Sequence, residues 1–580
     1  MQPVDFTTLV AVCSELRSHY LPARCEQVVQ RDRYTICMAL RTLQGRHWLT
    51  LSWHPQAARL HIGSAPPKGP DTFTFSQQLK HQLNGLALTQ INLLSPWERA
   101  LDLQFAPRPG EAAQHHLYIE IMGKYSNLLL THADQTIITA AHQVSESQSS
   151  LRPIRTGDRY EHPPALTGPV PNLKESYATW HDRISLIPGK LRKMMIQSYS
   201  GLSSALVRQL CTAVSLEAET HTDRLSDDDW TNLFEQWQIW LTRLQSEDFE
   251  PGWCEQGYTV LGWGVSTPTT DTQTLLDQYY QQQLDQQVFK QLHHQLSQKL
   301  KTLLRKLRHK ANDFEQRLRQ SDQADTYRQQ ADLLMAHPHA WTPGLTQLNL
   351  SDFETGAPVT IPLDPDKTGI QNAQRLYKRH QKQKRARDAI LPLLATVNEE
   401  LDYLEQVDAA LQQSPTYTQP TDLEALEGIR NELIEQNYLD IPYIQEKKSK
   451  TPQFRQFASP DGHELLVGRN NNQNDTLTSK VATDYDLWLH TQEIPGSHVL
   501  LRLNAGEVAS DADLAFAADI AAYFSRARQS EQVPVVYTHP KHVYKPKGAR
   551  PGMVIYTHER VLWGQPQRAK SRLEETAKSD

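Results

Sequence analysis

The spacing of apolar residues changes along the chain and predicts different elements in each region. Near the start, six of them recur at helical spacing and predict a helix over 6–21: Phe6, Leu9, Val10, Cys13, Leu16 and Tyr20. Partial alternation of apolar and polar residues then predicts strands at 26–29, 34–43, 48–53, 59–62, 101–105, 117–121, 127–131 and 136–140. With a further helix over 73–83, these elements predict an α+β module.

Helical spacing replaces alternation after a proline-rich linker at 165–180. The pattern predicts helices over 184–198 and 205–214 with a turn at Gly201, and a third helix over 227–244 with an apolar face that includes Ile239. Lys190, Arg192 and Lys193 lie close to that turn. Backbone N–H groups at a helix start can hold a phosphate, although many helical hairpins bind nothing, so both interpretations stay open.

From residue 275 onward the pattern predicts one long helix. Apolar residues between Phe289 and Leu318, among them Leu303, repeat every 11 residues, as in a nearly straight or slightly right-handed coiled coil. A second apolar stripe predicts a return helix over 372–411, and the prolines between residues 338 and 365 exclude helix there. The region therefore predicts an antiparallel coiled-coil arm with a small non-helical insert.

The C-terminal region contains a polar run that packing does not require. A strand predicted at 463–467 leads into Gly468–Asp475, which holds amides, one arginine and one aspartate, followed by Trp488, His490 and His498. Asn-rich runs often form turns, because Asn tolerates left-handed backbone angles. Amides and arginine also match base edges and phosphates, and flat rings can stack on unpaired bases. Beyond the run we expect a helix over 514–528, a strand over 533–537 and a basic, proline-broken loop over 542–552.

The net charge of the chain does not indicate a nucleic-acid-binding protein, so any surface that binds nucleic acid must be a local basic patch. The 580-residue chain has a formal net charge of −6, yet each of the two helices of the predicted coiled-coil arm carries a basic cluster. Charges outside a coiled coil usually serve solvation, but two clusters of like sign favour a polyanion such as ribosomal RNA. The basic residues expected to face ribosomal RNA are Lys301, Arg305, Arg308, Lys382, Arg385, Lys545, Lys547 and Arg550.

Composition argues against several classes of protein. The five cysteines lie far apart without a Cys-x-x-Cys pair, which argues against a disulfide framework and a zinc site. An export signal and an apolar run long enough to span a membrane are both missing, so a cytoplasmic location is expected. Phosphate-loop, serine-hydrolase and zinc-protease motifs are absent as well, and we predict no catalytic residue, metal or cofactor. An acid–base or metal site at His490 and His498 is the weaker alternative.

Several sequence words resemble the NFACT family, which includes the bacterial RqcH-type ribosome quality-control factors, also known as fibronectin-binding protein A homologues. They are VGRNNNQND at 467–475, DLWLH at 486–490, PGSHV at 495–499, EIMGKYSN at 120–127, LDQYY at 276–280 and IPLDP at 361–365. The resemblance spans residues 4–565 and implies a multidomain α+β protein. Its parts would be an NFACT-N domain (1–164), a helix-hairpin-helix domain (175–265), the coiled-coil middle domain (272–440), an NFACT-R domain (450–566) and a flexible tail (567–580).

The resemblance also implies a function and partners. Such a factor binds the stalled large ribosomal subunit, through ribosomal RNA and a stalk-base protein, while that subunit carries peptidyl-tRNA. It recruits alanyl-tRNA and promotes untemplated alanine tailing without being an enzyme, with a small Hsp15-like RNA-binding helper as a further partner. The residues implied in tRNA binding are Glu98, Arg99, Glu120, Met122, Gly123, Lys124, Ser126, Asn127, Arg469, Asn470, Gln473, Asn474, Asp475, Trp488, His490 and His498. Glu98 departs from the family, which carries Asp there.

Two other functions are weighed against this one. A surface adhesin that binds fibronectin would match one family name, but the missing export signal argues against it. The N-terminal module is also likened to DNA glycosylases that use a proline nucleophile. Here Pro3 follows Met1 and Gln2, so its nitrogen lies in a peptide bond, whereas Schiff-base chemistry needs a free amine.

Overall fold

The computed structural model describes residues 1–149, 152–164, 166–440 and 453–579, and it divides into two compact units, Met1–Leu284 and Asp285–Asp580. It confirms the multidomain α+β class, with a sheet module near each end of the chain and a long helical arm in the sequence between them. The predicted module boundary at residue 450 lies outside the described residues.

A nine-stranded antiparallel sheet organises the first unit, in the order β4-β3-β2-β1-β5-β6-β7-β8-β9. Its elements are α1 (Phe6–Tyr20), β1 (Ala23–Asp32), β2 (Thr35–Thr42), β3 (Gly45–Ser52), β4 (Arg59–Gly63), α2 (Thr74–Leu83), β5 (Ala87–Leu93), β6 (Ala100–Ala106), β7 (His115–Glu120), β8 (Asn127–His132) and β9 (Ile137–Ala140). The sequence pattern missed β5, which pairs with both β1 and β6. A register shift between Leu88 and Gln90 breaks the alternation that marks a strand.

The helical part of this unit corrects one prediction. It comprises α3 (Tyr177–Ser185), α4 (Leu191–Ser198), α5 (Ser204–Ala213) and α6 (Asp227–Ser246), followed by the short strands β10 (Gly252–Cys254), β11 (Gly257–Thr259) and β12 (Val265–Pro268). The single helix expected over 184–198 is wrong. Pro188 interrupts it, because proline lacks an N–H and its ring clashes with the preceding turn. On the apolar face of α6, Trp230 and Trp237 are buried, Phe234 is half-buried and Ile239 is 45% exposed.

The predicted arm is an antiparallel helical hairpin. Its elements are α7 (Thr272–Ser321), α8 (Ala324–Ala336), the strands β13 (Gln347–Ser351) and β14 (Pro358–Pro362), α9 (Gly369–Gln412) and α10 (Pro420–Glu435). Leu300 and Leu304 of α7 pack in one cluster with Tyr403 and Leu404 of α9. Leu304 is buried there, whereas the predicted core residue Leu303 is only half-buried.

The C-terminal module is a six-stranded sheet, in the order β15-β16-β18-β17-β19-β22, with helices and a small hairpin. Its elements are β15 (Arg455–Ala458), β16 (Glu464–Val467), α11 (Asn471–Thr476), β17 (Leu487–Thr491), β18 (Val499–Leu501), α12 (Asp511–Tyr523), β19 (Val533–Thr538), β20 (Val543–Tyr544), β21 (Ile555–Tyr556), β22 (Arg560–Gly564) and α13 (Pro566–Ser579).

Two predictions for this module are corrected. The helix expected over 514–528 ends at Tyr523. The expected flexible tail is helical: Ala569 of α13 is fully buried in the module's core, and Arg568 pairs with the buried Asp519. Among the described residues, no helix combines the length and apolar content needed to cross a membrane.

Candidate nucleic-acid interface

A cavity of about 300 Å³ in the first unit brings two separately predicted sites together. Arg99, the residue before β6, lines it on one side, and Gly123 lines it from the turn between β7 and β8. The other lining residues are Met1, Pro3, Pro55, Gln56, Ala58 and Ile121. The strands account for this meeting: β6 and β7 are neighbours, and Ile121 N–H donates to the Arg99 carbonyl at 2.9 Å.

The turn beside this cavity displays a cation and an aromatic ring. Gly123 adopts a φ of +59°, which glycine reaches without steric cost, and this lets the chain reverse between β7 and β8. Lys124 and Tyr125 then project into solvent, with the ammonium 4.9 Å from the ring centroid and the Tyr125 side chain 71% exposed. Tyr125 was not among the predicted site residues, although an aromatic residue next to a lysine in a turn could have indicated a nucleic-acid contact.

Arg99 is held at the cavity by the residues that precede it. Trp97 has a φ of +67°, and its ring packs between Phe6 and Trp240, at centroid distances of 4.8 and 5.5 Å. Arg99 Nη1 donates to the Val4 carbonyl at 3.3 Å, and its other donors bond to no other residue that the structure describes. Glu98 is only 7% exposed, and its Oε2 has no hydrogen-bond partner among the described residues. The described part of the chain shows no ion pair between Glu98 and Arg99.

Three of the turn residues implied in tRNA binding are engaged inside the fold. Glu120 is 2% exposed; its carboxylate accepts from Arg152 Nη1 at 2.9 Å and Nη2 at 2.5 Å, and from Tyr160 Oη at 2.9 Å. Ser126 donates to the Gly123 carbonyl, and Asn127 donates to the His142 carbonyl. Met122 is half-buried. The expectation that Ser126 and Asn127 display their donors on this turn is wrong, because their hydrogen bonds hold the turn together.

The helix pair α4 and α5 in the first unit has fewer unpaired cations than its sequence suggested. Lys190 Nζ and Arg192 Nε lie 2.9 and 2.6 Å from the carboxylate of Glu219, and these hydrogen bonds lower the Glu219 pKa to about 2. Lys193 remains exposed in α4.

The Asn-rich run of the C-terminal module forms a helix rather than a turn or a display surface. Asn470 caps α11 by accepting from Gln473 N–H at 2.9 Å, and Gln473 Oε1 accepts from Arg469 N–H at 3.0 Å. Arg469, Asn470 and Asn474 are at most 6% exposed. The run was expected to have almost nothing to bury, and this is wrong: its polar groups pair with one another and with α10.

Contacts with α10 account for that burial. Arg469 Nη1 lies 2.9 Å from Asp422 Oδ1, and both side chains are buried. Asn470 Nδ2 donates to the Ala425 carbonyl at 3.3 Å. At the other end of the run Asp475 binds Lys545 Nζ at 2.5 Å and accepts from Gly552 N–H at 3.0 Å.

The expected stacking residues are also largely inside the module. Trp488 is fully buried and His498 is 2% exposed; Trp488 Nε1 donates to Thr478 Oγ1 at 3.2 Å, and the His498 ring contacts the same hydroxyl at 2.7 Å. Desolvation lowers the pKa of His490 to about 4 and that of His498 well below its usual value, so both rings are neutral near pH 7. Among the described residues no group of three or more His, Cys, Asp or Glu side chains could hold a metal ion.

Within the described ranges, some of the predicted basic residues have no ion-pair partner and others are engaged. Lys301, Arg305, Lys382 and Arg385 are exposed on the arm, and so is Lys547 in the C-terminal loop. Arg308 pairs with Glu405 across the arm at 2.7 Å. Arg550 donates to Tyr438 Oη and lies 4.9 Å over the Tyr403 ring. Arg308 and Arg550 therefore have structural contacts of their own.

Comparison with known proteins agrees with this architecture. Residues 5–452 match the model of the NFACT N-terminal and middle domains, and residues 453–557 match that of the NFACT protein RNA-binding domain. The Rqc2 homologue RqcH of Streptococcus suis is 31% identical over 573 residues, covering 96% of this chain and 97% of that protein. RqcH of Bacillus subtilis is 29% identical over 574 residues, covering 95% and 96%.

A solved structure also matches. The C-terminal part of the fibronectin/fibrinogen-binding protein from Streptococcus suis shares 33% identity, covers 49% of this chain and 98% of its own, and has a TM-score of 0.38. The two family models together account for nearly the whole chain, in the order expected from its sequence. The chain therefore belongs to the NFACT family, as an RqcH-type member.

Proposed function

We propose that this chain is a ribosome quality-control factor of the cytoplasm. It binds stalled large ribosomal subunits that carry peptidyl-tRNA, recruits an alanyl-tRNA, and promotes untemplated alanine tailing that marks the nascent chain for degradation. Family membership and the RNA-binding domain at 453–557 support the assignment. The observation that carries it is the cavity where Arg99 meets the turn bearing Lys124 and Tyr125.

This cavity has the chemistry to grip one nucleotide of a tRNA. A guanidinium can bind a phosphate through two parallel hydrogen bonds, while an ammonium acts as a point charge. An exposed tyrosine ring can stack on an unpaired base. With about 300 Å³, the cavity is at the small end of ligand pockets and suits a single nucleotide better than a helix.

The arm supplies a second, separate surface. Lys301 and Arg305 on α7, and Lys382 and Arg385 on α9, are exposed cations on two antiparallel helices. Such a surface suits the phosphate backbone of ribosomal RNA beside a stalk-base protein, with a small Hsp15-like protein as helper. Binding of this kind weakens steeply with salt, because each phosphate contact releases counterions.

In this scheme the protein positions reactants and does not catalyse peptide transfer. The ribosome provides the chemistry, and the chain holds the incoming tRNA against the stalled subunit, which lowers the entropic cost of their meeting. The neutral, desolvated imidazoles of His490 and His498 are poorly suited to proton transfer at pH 7.

The direct test is to capture the tagged protein from a lysate of its own cells and sequence the bound RNA. We expect large-subunit ribosomal RNA together with one strongly enriched tRNA-Ala species. Ribosomal RNA without tRNA enrichment would remove the tailing role, and the absence of both RNAs would contradict the proposal as a whole. Mass spectrometry of co-purified nascent chains should find C-terminal alanine tails.

A further inference from the structure

The burial of Arg469, Asn470, Asn474, Trp488 and His498 leaves the RNA-binding domain without most of its expected contact residues. Another surface of the same domain combines exposed and half-buried rings with cations that have no carboxylate partner among the described residues. We propose that this surface, the 541–560 strip, binds unpaired RNA nucleotides. It consists of Lys541, His542, Tyr544, Lys547, His558 and Arg560. The proposal rests on the proposed function only in taking RNA as the ligand.

A small hairpin gives the strip its shape. Tyr544 on β20 pairs with Ile555 on β21, and their side chains are 53% and 46% exposed. At the open end of the hairpin the rings of His542 and His558 stack, with centroids 4.4 Å apart and planes inclined by 28°. Three flat side chains therefore border one short hairpin.

The hairpin is fixed to the core of the domain. Thr557 N–H donates to the His542 carbonyl at 3.1 Å, and Thr538 Oγ1 donates to the Thr557 carbonyl at 3.0 Å. The ring of Tyr556, next to Ile555, packs 5.6 Å from the buried Trp488. Trp488 thus supports the strip from below, and a platform held in this way loses little conformational entropy when a base stacks on it.

The charge of the strip suits a phosphate backbone. Residues 538–564 contain five Lys and Arg but only one acidic residue, Glu559. Lys545 is paired with Asp475 and Arg550 is bound to Tyr438. Lys541, Lys547 and Arg560 are exposed and pair with no carboxylate in the part of the chain that the structure describes. Desolvation, and after it the neighbouring residues His558, Lys541 and His539, lower the pKa of His542.

Single-stranded RNA fits this combination better than a duplex. Rings that project from a hairpin can stack on splayed bases, while nearby cations follow the backbone. In an A-form duplex the bases are already stacked on each other, and recognition relies on groove shape and 2′-hydroxyls. A loop or an unpaired end of a structured RNA is therefore the expected ligand class.

The test uses the full-length chain and a 4-thiouridine-labelled single-stranded oligoribonucleotide of mixed sequence. After irradiation, mass spectrometry should find cross-linked peptides from 541–560. In fluorescence anisotropy, Tyr544→Ala should weaken binding by about fivefold to a hundredfold, the range for loss of one base-stacking contact. Lys541→Ala with Lys547→Ala should also reduce the slope of log affinity against log salt by about 1.4, or about 0.7 for each phosphate contact.

Phe353→Ala is the matched control, because this ring is 61% exposed but lies in the insert between β13 and β14. It should leave binding unchanged. Unaltered affinity and cross-links in the Tyr544 and lysine variants would overturn the inference, as would equal competition by blunt duplex RNA or by polyglutamate. These results leave the proposed function standing. If the wild-type chain bound no RNA in any assay, the proposed function would fail as well.

Discussion

Asn471 donates from its side-chain Nδ2 to Glu432 Oε1 at 2.9 Å, and each of the two residues is 1% exposed. This buried contact joins α11 of the C-terminal module to α10. Tyr403 Oη of α9 donates to the same carboxylate oxygen at 2.9 Å. The Asn-rich run thus fixes the module to the helices before it, although its sequence suggested a ligand surface.

Loss of the ion pair between Arg469 and Asp422, which also joins α10 to the Asn-rich run, should destabilise the second unit strongly. Arg469→Ala leaves the buried carboxylate of Asp422 without its cation, so the free energy of unfolding should fall by about 3–5 kcal/mol. Arg317→Ala, which breaks an exposed pair with Asp313, should cost about 0.5 kcal/mol or less. Hydrogen exchange of α10 and α11 peptides in urea measures both; equal effects would contradict the structural role of Arg469.

Glu432 should make the stability of this junction depend on pH. Burial raises its pKa to about 7 from 4.5, because desolvation outweighs the hydrogen bonds from Asn471 and Tyr403. Between about pH 4.5 and 7 the folded chain keeps a proton that the unfolded chain has released. The free energy of unfolding therefore falls as pH rises through this window, by about 3 kcal/mol in all.

Glu432→Gln should remove most of that slope, because its amide oxygen can still accept both hydrogen bonds and its side chain does not ionise. Unfolding of the junction in urea at pH 5, 6, 7 and 8 provides the measurement. A variant with the same slope as the wild type would show that Glu432 is not the titrating group.

Gly552 should tolerate alanine less well than Gly548, although both adopt a positive φ, of +77° and +83°. A Cβ at Gly552 would lie 2.7 Å from Asn471 Oδ1, whereas nothing lies within 4 Å of one at Gly548. Both substitutions incur the cost of a left-handed backbone, about 1–2 kcal/mol, and Gly552→Ala should add displacement of Asn471. The difference in melting temperature between the two variants isolates the clash. Identical values would argue against close contact at Asn471.

Substitutions at Glu120 and Lys124, four residues apart, should have different effects: the first should lower stability and the second should weaken tRNA binding. Glu120→Ala leaves the guanidinium of Arg152 without its carboxylate, and it should lower the free energy of unfolding of the first unit by about 3 kcal/mol. Lys124→Ala should change stability by at most about 0.5 kcal/mol, because the side chain is exposed, while reducing tRNA capture. Urea unfolding and RNA capture would be measured on both variants; a stable Glu120→Ala protein would refute the structural assignment.

Periodicity predicted most helices and strands, including the antiparallel arm, because their apolar faces repeat regularly. It failed where contacts distant in sequence decide the outcome. Asn470 and Gln473 have the spacing of a helix cap, and this local signal could have revealed α11. The burial of Arg469 and Asn471 was beyond local reasoning, because their partners Asp422 and Glu432 on α10 lie 47 and 39 residues away in the sequence. Likewise, the cavity lined by Arg99 and Gly123 depends on the pairing of β6 with β7.

The measurement that tests the central claim most directly compares two sets of variants in RNA capture from lysate. Arg99→Ala should reduce bound tRNA about tenfold or more, as loss of a charged hydrogen bond implies, and leave large-subunit ribosomal RNA unchanged. Arg108→Ala, at an exposed arginine of the same unit outside the lining of the cavity, is its control. Replacing Lys301, Arg305, Lys382 and Arg385 together by alanine should reduce both RNAs. Equal loss of tRNA and ribosomal RNA in Arg99→Ala would contradict the account.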